Sequence, residues 1–511
     1  MRSFATIKNS VWGIAQQVVV CALSIFSRGV MIETIGQQGV GLNALLTSVI
    51  SLLSLAELGI GAAIVYHMYD PIAKGDKVRI VKLMHCYKVM YRIIAGVILL
   101  LGLCLLPFME SIVKDVTYSR AYVSLIFLLF LVQTTSSYLF TYKRSMLSAD
   151  QKQYVMIAFD LLYKLVTIIG GILVLKLTGE LVYYLLLLIV CTVANNLLIS
   201  WHVDRLYPFL KEGRGRLTLQ ETRLIFHDVK HIFVGKLSEV VITSTDSILI
   251  NMFVGTIQTG LYSNYNIVLN TLVSATKQFS GGMRGSIGNL IATEKPEHVG
   301  KVLGRLLFVM FFIASFCTGC LTGLIDRFIT LAFGEGLLLG RISVIVLIFN
   351  LYMRTMEIPI ANMISAAGLF QYDKWISIAG AAVNLVISLV FGKWYGMAGI
   401  LFGTAATYVV IFVLKCVVFC TKYLHENGVG MLLKAAGFTL VAALECVLIA
   451  WVCNRIDAGN AYLSFLLCAC VSAALPIGLN CLLFFGTDEF RYAWSVTKSV
   501  VKTAMAHMRH N

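Results

Sequence analysis

The chain has 511 residues, of which 59% are hydrophobic and only 13% are charged, and its net charge is +15. Soluble domains carry about 25% charged residues, so the composition excludes a soluble protein and favours a polytopic α-helical membrane protein. The apolar runs have the length of about 20 residues that a helix needs to cross hydrocarbon, which excludes a barrel of short alternating strands. Lys and Arg fall mostly in short loops between these runs, so the positive charge does not indicate nucleic-acid binding.

The hydropathy pattern predicts fourteen transmembrane helices. They lie near residues 11–33, 40–66, 89–109, 120–142, 154–176, 180–201, 232–254, 260–283, 303–325, 341–364, 375–392, 397–421, 433–454 and 461–485. Basic residues concentrate in every second loop, and the positive-inside rule places those loops and both termini in the cytoplasm. The sequence contains no nucleotide-binding P-loop, which argues against ATP-driven transport by this chain alone.

Short patterns recur at equivalent turns in the two halves of the chain and predict an internal repeat. The pairs are Gly36-x4-Gly41 with Gly255-x4-Gly260, Lys176-x2-Gly179 with Lys393-x2-Gly396, and Met146-x-Ser-Ala149 with Met363-x-Ser-Ala366. An even number of spans in each copy makes the copies parallel. We therefore expect two parallel six-helix lobes, at 1–201 and 232–421, joined by a cytosolic linker at 202–231.

The linker and the C-terminal region complete the predicted organisation. Thr218-x2-Glu221 has the spacing of a capping box and predicts a short cytosolic helix. Residues 422–485 hold two further transmembrane helices outside the repeat. Residues 486–511 form a basic, amphipathic cytosolic tail that suits the inner membrane interface, with a frayed and solvated tail as the alternative.

Charged residues occur inside several predicted spans. A charge near the bilayer centre costs roughly 2.5–3.5 kcal/mol on insertion scales, so such residues usually line a polar path. The candidates for substrate binding are basic, and the candidates for cavity acids or ion coupling are acidic. The basic set is Arg28, Lys236, Lys277, Arg284 and Arg354, and the acidic set is Glu57, Glu239, Asp246 and Glu357.

Several of the charged residues have a structural alternative. Arg28 and Arg284 could extend toward the membrane interface instead of into a cavity, and Glu57 could make a structural hydrogen bond. The spacing of Asp160 and Lys164 predicts a salt bridge within one helix, and Arg354 could pair with Glu357 in the same way.

The sequence predicts a transporter rather than an enzyme. The thirteen cysteines lie mostly inside spans and suggest no disulfide framework. The histidines suggest no metal site, and no serine lies in a nucleophile elbow, so we expect neither a metal nor another cofactor. Cationic groups inside the membrane imply an anionic cargo group, for which phosphate is the usual choice.

Several segments resemble bacterial polysaccharide flippases of the O-antigen and capsule (Wzx-like) type. They are Ser27-Arg28, Gly36–Leu42, Ser51–Val65, Thr245–Asn251, Gly260–Tyr265 and Ser286–Glu294. This family is part of the multidrug/oligosaccharidyl-lipid/polysaccharide (MOP) exporter superfamily. The resemblance covers the first twelve predicted spans.

The resemblance implies a V-shaped, MATE-like pair of lobes in the bacterial inner membrane that works by alternating access. It implies an undecaprenyl-diphosphate-linked oligosaccharide as cargo, with Arg28 and either Lys277 or Arg284 toward the diphosphate. Glu57 stands in span 2 where the family scheme has a cation. Na⁺ or H⁺ would be the coupling ion, membrane lipids would surround the chain, and polysaccharide assembly proteins would be its protein partners.

Two other functions compete with this interpretation. A multidrug or cation antiporter of the same superfamily would favour an acidic cavity and twelve spans. A polysaccharide polymerase or ligase would usually carry a large external loop, which the sequence lacks.

Overall fold

A computed structural model describes residues 2–57, 60–150, 152–212, 215, 217–281, 284–495 and 498. Side chains at 2–18, 56, 62–63, 153, 211–212, 219–220, 223–224, 226–237, 239, 278–281 and 284–285 lie outside that description. The described chain is all-helical, with no strand, as the sequence predicts.

The helices follow one another with short connections. They are α1 (Arg2–Leu53), α2 (Ile60–Lys74), α3 (Lys77–Leu105), α4 (Met109–Ile112), α5 (Arg120–Thr141), α6 (Arg144–Ala149), α7 (Gln153–Thr178), α8 (Leu181–Leu206), α9 (Phe209–Glu212), α10 (Leu219–Phe253), α11 (Thr256–Gly281), α12 (Arg284–Thr293), α13 (Pro296–Phe333), α14 (Arg341–Ala366), α15 (Phe370–Tyr395), α16 (Met397–Phe419), α17 (Val429–Cys453) and α18 (Ala461–Phe484). A short 3₁₀ turn, Ser54–Glu57, follows α1.

Within the described residues, eleven helices are long and apolar enough to cross a membrane. These are α1 from Val19, α3, α5, α7, α8 and all six helices from α13 to α18. The predicted count of fourteen is not confirmed. The count takes Val19–Leu53 as one helix, although it holds parts of the first two predicted spans on either side of Gly36. The apolar part of α10 is only Val240–Phe253, and α11 is rich in polar residues.

Gly36 divides α1 into two helical arms, because its φ of 67° and ψ of 172° interrupt the helix. Only glycine adopts such a conformation at little cost. Gly255, the equivalent residue of the second repeat copy, also has a positive φ, of 115°, in the turn between α10 and α11. Gly179 and Gly396 match in the same way, with φ of 66° and 57° after α7 and α15. Both predicted pairs of equivalent glycines therefore have a positive φ.

The chain divides into two compact units, the first unit (Leu23–Ser263) and the second unit (Met1–Ala22 with Asn264–Asn511). The first unit has a continuous apolar core in which Leu42, Tyr87 and Phe127 are fully buried. The core of the second unit includes stacked rings of Phe311 and Phe438, with centroids 4.7 Å apart.

Helix α10 begins where the capping box predicts, but it is not a separate short helix. The Thr218 hydroxyl accepts the Glu221 amide proton, and the Glu221 carboxylate accepts the Thr218 amide proton. Arg79 of α3 adds an ion pair to Glu221. These hydrogen bonds, from Thr218 first and then from Arg79, hold the pKa of Glu221 below its ordinary value. The helix then continues without a break to Phe253, so the linker and the seventh predicted span are one element.

The amphipathic tail lies mostly outside the described residues. Its first part is helical to residue 495, and the rings of Phe490 and Trp494 stack with centroids 6.4 Å apart. Lys498 extends over the Trp494 ring.

A loop carboxylate at the end of α6 gives a testable pH dependence. Burial alone would raise the pKa of Asp150, but hydrogen bonds from Lys152 and Tyr207 lower it below its ordinary value. Burial, and then the hydrogen bond to Asp150, raise the pKa of Tyr207 to about 12, although Lys152 acts in the opposite direction. A carboxylate with a lowered pKa stabilises the folded state above its ordinary pKa and loses that contribution as pH falls.

We expect Asp150→Asn to lower the free energy of unfolding by less than about 1 kcal/mol at pH 7, since Asp150 is near the surface. The difference from the wild type should shrink as pH falls below about 4, the ordinary pKa of an aspartate, as measured by thermal unfolding in detergent. Asp488→Asn, at an exposed carboxylate 3.8 Å from Arg491, is the control. A difference that persists unchanged in acid would contradict this assignment.

Candidate functional site

The first unit contains two adjoining polar cavities of about 670 and 250 Å³. They share four lining residues, Ser137, Thr141, Tyr163 and Thr192. The other residues of the larger cavity are Asn43, Thr47, Ile50, Ser51, Ser54, Glu57, Phe130, Gln133, Thr134, Tyr138, Tyr184, Leu188 and Val240. We call the pair the lobe cavity.

Helix α5 supplies much of this lining. Gln133, Ser137 and Thr141 are spaced by four residues and therefore lie on one helix face. The Thr141 hydroxyl donates to the Ser137 carbonyl at 2.6 Å, which satisfies its proton within the helix and leaves oxygen lone pairs for a ligand. We did not predict this face from the sequence. The sequence feature that indicates this polar face is the run of five polar residues, 133–137, inside an apolar span.

The larger cavity presents neutral hydrogen-bonding groups. Its described lining offers hydroxyls, two side-chain amides and the phenols of Tyr138, Tyr163 and Tyr184, and it includes no lysine or arginine. Glu57 is the one charged residue of that lining. Such a surface can bind a neutral polyhydroxyl group by many hydrogen bonds and by contact with aromatic rings.

Glu57 lies at the end of the 3₁₀ turn that follows α1. The Tyr91 hydroxyl donates to Glu57 Oε1 at 2.9 Å, and the Tyr91 ring packs 6.1 Å from that of Tyr138. The carboxyl group is therefore held by a structural hydrogen bond and also lines the lobe cavity. The two interpretations of Glu57 from the sequence are compatible.

Arg144 of α6 and Asp160 of α7 form an ion pair at 2.8 Å in the wall of the smaller cavity. Asn195 donates to Asp160 at 3.4 Å, and Arg144 donates to Asn196 at 3.3 Å. The predicted pairing of Asp160 with Lys164 is wrong, because the Asp160 carboxylate pairs with the guanidinium of Arg144 on another helix. The side chain of Lys164 is exposed.

Arg28 is half-buried on α1 and contacts α11. Its guanidinium donates to Ser263 Oγ at 3.3 Å, and Ser263 in turn donates to the Gly260 carbonyl at 2.8 Å. The phenol of Tyr184, which lines the lobe cavity, lies within electrostatic range of the guanidinium. Arg28 therefore lies beside this cavity, although it is not part of its lining.

Asp246 of α10 is 4% exposed, and the Tyr262 hydroxyl donates to it at 3.4 Å. Lys277 is exposed on α11. The side chains of Lys236, Glu239 and Arg284 lie outside the described residues, although their backbone belongs to α10 and α12.

A second charged site lies in the second unit. Lys415 of α16 is buried, and its ammonium lies 2.8 Å from Glu357 of α14 and 3.1 Å from Asp373 of α15. Arg354 lies over the Tyr408 ring, 5.8 Å from its centroid. The predicted Arg354–Glu357 pair is therefore wrong. We did not predict a site at Lys415, although it is a lysine within the twelfth predicted span.

No group of three or more His, Cys, Asp or Glu side chains in the described part of the chain is placed to hold a metal ion.

A family model described as polysaccharide biosynthesis protein matches residues 6–277. The chain is also similar to three solved structures. For the lipid II flippase MurJ in an inward closed conformation, the TM-score is 0.64 at 12% identity, covering 92% of this chain and 98% of that one. For an inward-facing MATE family multidrug resistance transporter of the MOP superfamily, it is 0.60 at 11% identity, covering 79% and 97%.

The third structure is a MOP superfamily transporter from Pyrococcus furiosus, described as having a binding pocket of reverse polarity. Its TM-score is 0.53 at 13% identity, covering 83% of this chain and 97% of that one. At these identities the similarity concerns the fold. No curated protein matches the sequence.

Proposed function

The chain belongs to the polysaccharide biosynthesis protein family, and we propose that it moves an undecaprenyl-diphosphate-linked oligosaccharide from the cytoplasmic to the outer leaflet. It is a multi-pass membrane protein with a transporter fold of the MurJ and MATE type. Alternating access would expose the cargo site first to the cytoplasm and then to the outside.

The hydroxyl-rich lining of the larger cavity, in which Glu57 is the one charged residue described, is the observation that supports this cargo most directly. A sugar carries many hydroxyls, and burying a hydroxyl without a hydrogen bond costs roughly 1–3 kcal/mol. Thr, Ser, Asn and Gln side chains replace the water that each hydroxyl loses, and tyrosine rings pack against the apolar faces of the sugar. The polyprenyl tail would stay in the lipid throughout.

The diphosphate end of the cargo needs cations, which the larger cavity lacks among its described lining residues. Arg144, in the wall of the smaller cavity, is already paired with Asp160. Arg28 lies near Tyr184 of the larger cavity, so we assign the diphosphate contact to Arg28 first. Lys236, Lys277, Arg284 and Arg354 remain the proposed further cations along the path. Charge-assisted hydrogen bonds from guanidinium to phosphate are about twice as strong as neutral ones.

An ion gradient would drive the cycle, with Na⁺ or H⁺ bound by an acid of the cavity. Glu57 suits this role because it lines the lobe cavity and is the last residue of the 3₁₀ turn that follows α1. Asp246, Glu239 and Glu357 are the other proposed acids. The proposal further places the chain in the bacterial inner membrane with both termini in the cytoplasm, and keeps the division into lobes at 1–201 and 232–421.

We expect Tyr163→Phe with Thr192→Val to reduce export of the glycan roughly tenfold, since each lost hydrogen bond to a sugar costs about 0.5–1.5 kcal/mol. Both residues line the two cavities. The readouts are surface glycan and the amount of lipid-linked oligosaccharide in a deletion strain complemented by each variant. Thr178→Val, at an exposed hydroxyl at the end of α7, is the matched control.

Arg28→Gln should also reduce export while the protein still inserts normally in the membrane. Normal surface glycan in both the Arg28 variant and the cavity variant would refute the proposed cargo site. Complete oligosaccharide units facing the cytoplasm in the deletion strain would support a flippase. Complete but unpolymerised units on the outer face would instead identify a polymerase.

A cation antiporter is the second candidate, because Glu57 is the charged residue of the larger cavity and no cation accompanies it in the described lining. An antiporter would leave lipid-linked oligosaccharide at its ordinary level in the deletion strain. Accumulation of a cationic dye would rise instead, and Glu57→Gln would reproduce that rise.

A further inference from the structure

A polar cluster lies at the contact of α13, α17 and α18, in the second unit. Its members are Glu445, Ser315 and Asn480, whose exposed fractions are 2%, 1% and 0%. The Ser315 hydroxyl donates to Glu445 Oε2, and the Asn480 amide donates to Ser315 Oγ at 3.0 Å. One hydrogen-bonded chain therefore joins three helices.

Two oxygens of the cluster accept no hydrogen bond among the described residues, Glu445 Oε1 and Asn480 Oδ1. Both are acceptors, so neither can satisfy the other while Glu445 is ionised. The side chains of Asn480 and Glu445 share Ser315 Oγ as a hydrogen-bond partner, which places them next to each other.

Apolar layers enclose the cluster on both sides. One turn away on their helices, Phe311 and Phe484 pack with Phe438, with ring centroids 4.7 to 5.8 Å apart. On the other side, Gly319 lies against Ile449 and Pro476, so closely that an added Cβ would come within 2.8 Å of each. Water has little access between these layers.

The charge of Glu445 has no ion-pair partner in the described part of the chain. The titratable groups that face it are the phenol of Tyr352 on α14 and the thiol of Cys446 on its own helix. Both are neutral at ordinary pH and cannot neutralise a carboxylate. Burying an unpaired carboxylate costs several kcal/mol.

We propose that Glu445 is a proton-binding site, in which the neutral carboxyl donates through Oε1 to Asn480 Oδ1. One proton then satisfies both unpaired acceptors and removes the buried charge. Metal cations with oxygen ligands take about six of them, whereas two oxygens of the cluster, Glu445 Oε1 and Asn480 Oδ1, are without a hydrogen bond among the described residues. The bound proton holds α17 and α18, the last two membrane helices, against α13, and its loss weakens that contact. This inference does not rest on the proposed cargo.

Infrared difference spectroscopy on the full chain in lipid nanodiscs tests the proposal. The spectrum of the wild type minus Glu445→Gln should contain the carbonyl band of a protonated carboxyl at neutral pH. Glu180→Gln, at an exposed carboxylate, should lack that band and serves as the matched control. Ionised-carboxylate bands in the Glu445→Gln difference would overturn the proposal.

Thermal unfolding gives an independent readout. The folded state keeps the proton of this site above the ordinary pKa of a glutamate, about 4.3, whereas the unfolded state loses it. The melting temperature of the wild type should therefore fall as pH rises from about 4 until the folded site itself loses the proton. Glu445→Gln, which imitates the neutral acid, should not show this fall. Asn480→Ala removes the acceptor, so in this variant the protonated-carboxyl band should disappear at a lower pH than in the wild type. If the protonated-carboxyl band disappears at the same pH in Asn480→Ala and in the wild type, the proposed hydrogen bond is wrong. This comparison holds even if Glu445→Gln fails to fold.

Discussion

Replacing Lys415 by Met should lower the free energy of unfolding by about 3 kcal/mol. The ammonium of Lys415 is buried between Glu357 and Asp373 at 2.8 and 3.1 Å. Removing one partner of a buried ion pair typically costs about 3–5 kcal/mol, because the remaining charge is left without compensation. The two carboxylates are partly exposed, at 21% and 31%, so we expect the lower end of that range, measured by thermal unfolding in detergent.

Removing the acids together with the lysine provides the decisive comparison. Lys415→Met combined with Glu357→Gln and Asp373→Asn leaves no unpaired charge, and should recover most of the lost stability. Lys422→Met is a matched control, since Lys422 is exposed just beyond the same helix and lies over the Tyr372 ring. If Lys415→Met alone unfolds like the wild type, the three charges do not form a structural network.

Among glycine-to-alanine substitutions in the first unit, Gly41→Ala should lower the free energy of unfolding the most. An ideal Cβ at Gly41 would lie 2.0 Å from the carbonyl oxygen of Thr256, and a backbone atom cannot turn aside as a side chain can. Overpacking typically costs about 1–3 kcal/mol, and we expect the upper end here. Separation of α1 from α11 should also disturb the Arg28–Ser263 contact, so export should fall together with stability.

Gly96→Ala is the control for this change. Gly96 lies within α3, and no atom comes within 4 Å of a Cβ built on it, so alanine there should raise stability by up to about 1 kcal/mol. Equal melting temperatures for Gly41→Ala and Gly96→Ala would contradict the close helix crossing.

The sequence predicted the helices well because hydrocarbon thickness sets the length of an apolar run. The Gly36 and Gly255 turns were also predictable, since few other residues adopt positive φ. Span number was harder to predict: α10 and α11 carry many polar residues, and their hydropathy alone does not define a span.

The charge pairs could not be predicted from spacing within one helix. Asp160 and Glu357 each have a basic residue three or four positions away, yet their partners are Arg144 and Lys415 on other helices. Such pairing depends on how helices pack, which one sequence does not contain. The lobe cavity was partly predictable, because residues 133–137 place five polar side chains in a membrane span.

The helix crossing at Gly41 has a reciprocal form. The Cβ of Gly41 would meet the carbonyl of Thr256, and the Cβ of Gly260 would meet the carbonyl of Gln37 at 2.6 Å. The two copies of the motif therefore contact each other in the same way. The second glycine of one copy (Gly41 or Gly260) packs against a backbone carbonyl of the other copy, that of the residue after its first glycine (Thr256 or Gln37). This is the self-complementary contact that two identical chains form about a two-fold axis. A side chain at either Gly41 or Gly260 would therefore push the same two helices apart, because on both sides of the crossing the obstacle is a backbone carbonyl.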